Sequence, residues 1–100
     1  MEIKLELFGA TRDLNNKDIQ SRKLNSDISG SVIVEVLNRS PLTNLLSAND
    51  IIIEVQKQSI KKSENLNKII EKIIKNGEKT LLLTIISSNN QRRYLGVKIN

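Results

Sequence analysis

The stretch 30–60, G-S-V-I-V-E-V-L-N-R-S-P-L-T-N-L-L-S-A-N-D-I-I-I-E-V-Q-K-Q-S-I, holds the only proline of the chain, and that proline limits what can stand on either side of it. Pro has no N–H to give a sheet ladder and its φ is fixed, so Pro41 ends a strand and is suited to open a helix. Before it, Val32, Val34 and Val36 alternate with Ile33, Glu35 and Leu37, which predicts a strand with one face in the core. After it, Leu42, Leu45 and Leu46 recur at helical spacing and predict a short helix over 41–47. Asn49-Asp50 is turn chemistry, and Ile51 to Val55 is a dense β-branched strand. The unit therefore reads strand, short helix, strand.

The flanks extend the same alternation of elements. Ile3, Leu5 and Leu7 oppose Glu2, Lys4 and Glu6, the pattern of a half-buried strand, with a further strand over 8–11. Asn15-Asn16 is placed to cap a short helix reaching about Lys23. Polar residues and Gly30 make 25–31 a loop. Beyond the central unit, Gln56-Lys57-Gln58 predicts a turn leading to a short strand near Ile60. Leu66, Ile69, Ile70, Ile73 and Ile74 then cover an arc of about 140° on a helix over 63–76, stopped by Asn76-Gly77. The run 80–86 has little alternation, as for a strand buried on both faces, and turns at 88–91 into a return strand over 92–99.

One hundred residues make one core, so 1–100 is read as a single domain. With one Phe, one Tyr and no Trp, that core is aliphatic. The absence of His excludes a Ser-His-Asp triad and any His-bearing metal site, and the absence of Cys excludes disulfides and thiolate chemistry. The carboxylate pairs Glu64/Glu71 and Asp13/Asp18 read as solvated surface charges, and no phosphate-cradling glycine motif occurs. These features predict a non-catalytic chain with no cofactor and no metal. The net charge of +5 comes from scattered lysines, and only Phe8 and Tyr94 are available for base stacking, so nucleic acid is not an expected partner. No apolar run approaches the roughly 18 residues of a membrane span.

S-P-L-T-N-L-L-S-A-N-D-I-I-I-E-V-Q-K-Q-S-I resembles the S-P-A-x-x-A-G-L-x-x-G-D-x-I-x-x-V-N-G-x-x-V segment of PDZ domains. The resemblance runs from about Gly9 to Ile99 and is greatest to the permuted bacterial type of the Do-like (HtrA) trypsin-like serine proteases. The opening G-A-T-R-D-L is similar to the start of their second, C-terminal PDZ domain. Leu42, Asn44-Leu45, Asn49 and Lys57 depart from the pattern, and Asn at 49 is compatible with the left-handed backbone that Gly takes there. The resemblance implies an α+β fold: a small, mostly antiparallel β-barrel or sandwich of five to six strands capped by two helices, in the permuted order. It implies a piece of a longer periplasmic protease whose catalytic segment lies elsewhere. It further implies capture of extended or C-terminal peptides by strand addition, with regulation or assembly of the parent and contacts to its other domains.

By order along the chain, the carboxylate-binding loop of such a domain falls at Leu5, Glu6 and Leu7, and the peptide-pairing strand at Phe8, Gly9 and Ala10. Helix spacing nominates Leu66, Ile70 and Ile73 for the groove and leaves Ile69 and Ile74 for the core. Glu6 stands where the family has an internal Gly. That departure keeps open an alternative, an oligomer-assembly module with a vestigial groove. Tyr94-Leu95-Gly96-Val97 resembles the family's loop motif but falls inside the last strand, after a hairpin, where a strand role is expected.

Overall fold

A computed structural model describes residues 10–35 and 45–98. Among these residues, six strands and two helices follow one another: β1 (Ala10–Asp13), α1 (Asn16–Arg22), β2 (Ser31–Glu35), β3 (Ile51–Val55), β4 (Gln58–Ser59), α2 (Ser63–Lys75), β5 (Thr80–Ile86) and β6 (Arg92–Lys98). All six strands join one sheet in the order β1-β2-β3-β5-β6, with β4 paired to β3, and every pairing is antiparallel. No helix among the described residues is long and apolar enough to cross a membrane.

Local chemistry sets the ends of α1. Asn15 caps it, its Oδ1 accepting from the Asp18 N–H at 2.9 Å while the Asp18 carboxylate accepts from the Asn15 N–H at 3.0 Å. Lys23 closes the helix in the left-handed region, at φ 55°. The predicted helix over 15–23 is present. The short helix predicted over 41–47 falls mostly outside the described residues; Leu45–Ser47 are not helical, and Leu46 is buried in the core. The predicted strand at 3–7 also lies outside them.

Both faces of the sheet are covered over part of its area, and this changes the expected burial of β2. One face packs Ile33, Ile52, Leu81, Leu83, Ile85 and Val97 against α2. The other packs Val32, Ile51, Ile53 and Ile86 beneath Leu14, Leu24 and Ile28, the residues flanking α1. Val32 and Ile33 are therefore both buried, whereas Val34 is 48% exposed and Glu35 is exposed. The alternation read from the sequence, with one face in and one face out, does not hold. In β3, Ile51 and Ile53 join one cluster and Ile52 the other, so all three are buried, and an irregularity between Ile52 and Glu54 brings Val55 to the face of Ile52. Close packing also fixes Gly30, where a Cβ would collide with the carbonyl oxygen of Ile52.

The turns carry their own adaptations. Gln56 and Lys57 link β3 to β4 at φ 50° and 65°, the both-positive backbone of a type I′ turn. The Gln56 carboxamide continues the ladder to β5, donating to Thr80 O at 3.1 Å and accepting from the Leu82 N–H at 2.8 Å. Asn49 takes φ 76°, as its residue type allows. The buried Asp50 beside it accepts from the backbone N–H groups of Ser47 (2.9 Å) and Ser88 (3.1 Å). Its carboxylate thus ties the turn to the β5–β6 hairpin.

Candidate functional site

β1 ends the sheet, and among the described residues no strand pairs with its outer edge. Its inner edge is laddered to β2 through Ala10↔Glu35, Thr11↔Ile33, Arg12↔Val32 and Asp13↔Ser31, with an irregularity between Ala10 and Thr11. A strand edge of this kind presents N–H and C=O groups free to pair with another extended chain. α2 packs against β1, β2 and β3 and so lies beside that edge.

One end of this arrangement is tied. Asp13 Oδ1 accepts from the Ser63 N–H at 2.7 Å, supplying from β1 the acceptor that the first turn of α2 needs. Ser63 Oγ also shares a 2.6 Å hydrogen bond with Ser31 Oγ. Asn65 Oδ1 accepts from the Lys62 N–H at 3.1 Å, so the helix start is held from both sides. The carboxylate of Asp13, expected only as a surface charge, is thus a joint between strand and helix. The helix begins at Ser63, where the sequence places it, but nothing local to that start names the distant partner.

The far side of β1 is braced ionically. Arg12 donates from both terminal nitrogens to the Asp18 carboxylate, each at 2.7 Å. That paired hydrogen bond, helped by the Asn15 N–H and by the positive charges of Arg12 and Arg22, holds the Asp18 carboxyl down at about 2 against a smaller opposing effect of burial. The same pair raises the pKa of Arg12. From α1, Arg22 reaches Asn49 O (2.7 Å), Ser87 O (2.6 Å) and Asn90 Oδ1 (3.1 Å), so one guanidinium joins helix, turn and hairpin.

The sequence-predicted site residues divide into two sets. Leu5, Glu6, Leu7, Phe8 and Gly9 lie outside the described residues; Ala10 begins β1. Leu66 and Ile70 have no exposed surface and Ile73 is 7% exposed, all within the core under α2. Ile69 and Ile74, assigned by periodicity to the core, are only partly buried against it. The depth order is therefore the reverse of the expected one, because the centre of the apolar arc rather than its flanks meets the sheet. Ser63, Asn67, Ile70 and Ile74 recur at i, i+4, i+7 and i+11, within an arc of about 60°. Asn67 and Ile74 are half-buried, and Ser63 on the same flank is the residue bound to β1 and β2. Sequence reasoning passed over this flank because Ser63 and Asn67 are polar.

Tyr94-Leu95-Gly96-Val97 is in β6, paired with Leu81–Thr84. Among the described residues no cluster of three or more acidic side chains is arranged to hold a metal ion.

No family model and no curated protein matches the chain. Among solved structures it is similar to the HtrA3 PDZ domain, in a crystal structure of that domain bound to a phage-derived ligand, FGRWV. The superposition covers 93% of this chain and 80% of that one, with a TM-score of 0.66 and 21% sequence identity. At that identity the likeness speaks for the backbone: the chain is a small α+β domain with a PDZ-like fold.

Proposed function

We propose that the chain is a non-catalytic peptide-recognition domain that takes an extended or C-terminal segment of another polypeptide by strand addition. The observation that carries this reading is the outer edge of β1, which no strand among the described residues pairs with and which α2 reaches. A guest strand would extend the sheet past β1 through main-chain hydrogen bonds, and its alternate side chains would turn toward the helix. The half-buried flank Ser63, Asn67 and Ile74 forms the wall in this reading, with Leu66, Ile70 and Ile73 beneath as packing. By the sequence resemblance, the guest's terminus would meet the loop expected at Leu5, Glu6 and Leu7. The bound ligand of the HtrA3 PDZ domain supports a peptide as the class of guest.

The sequence resemblance extends the proposal to a parent: a periplasmic Do-like serine protease, with catalytic residues in a separate segment and this domain capturing substrates or regulating the enzyme. The chain itself has no His, so no Ser-His-Asp triad is contained in it.

A second reading, assembly of protease subunits with the groove vestigial, is favoured by one observation. Leu66 and Ile70 have no exposed surface, so the helix offers no open apolar pocket at its centre. Titration of the labelled chain with apolar C-terminal peptides separates the two readings. Amide shifts in NMR spectra at Ala10–Asp13 together with Asn67 and Ile74 are the expected result. Silence at all of these, with perturbation of another face by a neighbouring protease segment, would leave assembly as the function.

A further inference from the structure

The face of β5 and β6 away from α2 carries an opening that the fold does not require. Alternation along β6 puts Arg92, Tyr94, Gly96 and Lys98 on one face. Tyr94 is 73% exposed, and Leu82, paired across from Gly96, is 46% exposed. Between them runs a cleft of about 490 Å³, bordered by Lys57 and Glu54. Elsewhere this side of the sheet is sealed by Leu14, Leu24 and Ile28, but that cover does not include Leu82 or Tyr94.

Gly96 makes the opening specific. A glycine inside a strand weakens it, and such a glycine commonly marks a close approach by another chain or a ligand. Neither usual intramolecular reason for glycine applies here. Its φ lies outside the left-handed region, and a Cβ at this position would meet only Leu82 Cδ2 at 3.9 Å, an ordinary contact. This contrasts with Gly30, where the protein's own backbone fills the space. At Gly96 the missing side chain leaves a dip between two exposed apolar neighbours.

We infer that this cleft is a docking surface for an extended segment of a partner protein with an apolar centre and acidic ends, separate from the groove beside β1. Charge complementarity selects that occupant. Arg92 and Lys98 stand at the two ends of the stripe, about 20 Å apart at strand spacing, and Lys57 stands on its side. Glu54 is the one carboxylate on the lining, in a chain of net charge +5. A second copy of the chain fits poorly. A two-fold contact through this stripe would set Arg92 against Lys98 of the other copy, like charge on like.

The test is an amide-shift titration of the full chain with an amidated peptide carrying Leu-Val-Leu between two pairs of Asp. Amidation removes the terminal carboxylate that the β1 groove would take, so failure here leaves the groove reading standing. Shifts centred on Leu82, Tyr94 and Gly96 are expected, with affinity lower by about tenfold or more when the Asp pairs are replaced by Lys. Gly96→Leu fills the dip and should weaken binding by about tenfold or more, with the dispersion of the folded spectrum retained. Tyr94→Ala gives the same readout from the other wall if the leucine variant fails to fold. Equal binding of both peptides, unchanged affinity in both variants, shifts only at Ala10–Asp13, or no shift at millimolar peptide would each overturn the inference. So would concentration-dependent self-association abolished by Gly96→Leu, which would assign the surface to a second copy.

Discussion

Lys57 occupies a backbone conformation in which an L side chain is strained. It shares the β3–β4 turn with Gln56, and both have positive φ. Gln56 contributes its carboxamide to the ladder with β5, whereas nothing in the hydrogen-bonding of the turn uses the Lys57 side chain. Lys57→Gly should therefore raise stability by about 1 kcal/mol, read as a higher urea midpoint at unchanged slope. Asp18 gives a prediction of opposite character. Its folded pKa of about 2 lies below the ordinary carboxylate value, so the Arg12 pair stabilises the fold above that ordinary value. The contribution is lost as pH falls from about 4 through about 2. Since Arg12 is 43% exposed, the loss is modest, about 1 kcal/mol or less. Thermal melts of wild type and Asp18→Asn should differ at pH 5 and converge near pH 2; a constant difference across that range would contradict the assignment.

At the scale of elements, the sequence was most legible where one physical signal acted alone. α2 runs from Ser63 to Lys75, within a residue of its expected extent, because apolar periodicity and the Asn76-Gly77 stop agree. Asn15 was readable as a cap because capping is local. What escaped the sequence was set by distant partners. Val32 and Ile33 are both buried because Leu14, Leu24 and Ile28 fold over the second face, and no pattern within β2 announces that. The reversal of depth on α2 has the same origin: periodicity gives the arc, but only the sheet decides which part of it lies deepest. Two substitutions express the difference. Ile70→Ala, in the core, should cost about 2–5 kcal/mol, whereas Val34→Thr, on exposed surface, should stay within about 0.5 kcal/mol. Urea unfolding of the two variants checks the contrast.

Among the described residues, the middle of the sheet is covered on both faces. β3 has neighbours on both sides and residues in both clusters, and β5 lies between β3 and β6. Among the described residues β1 stands at the end of the strand order and is bonded along one edge. Native-state hydrogen exchange should thus be slowest for β3 and β5 and faster by at least about tenfold for β1, since local opening costs less than global unfolding. Exchange in β1 as slow as in β3 would mean that the edge opens only when the whole domain does. The same gradient is what the proposed binding of a guest at the margin of a rigid frame would require.

The bond from Asp13 to the first turn of α2 has a geometric corollary. A strand and a helix riveted at one extremity cannot draw apart evenly. Any separation of the two would fan open, like shears about a pin, from Ser63 toward Lys75. On the proposed reading, a visitor that needs more room would gain it at the blade tips, and its residue nearest the pin would find a gauge that does not stretch.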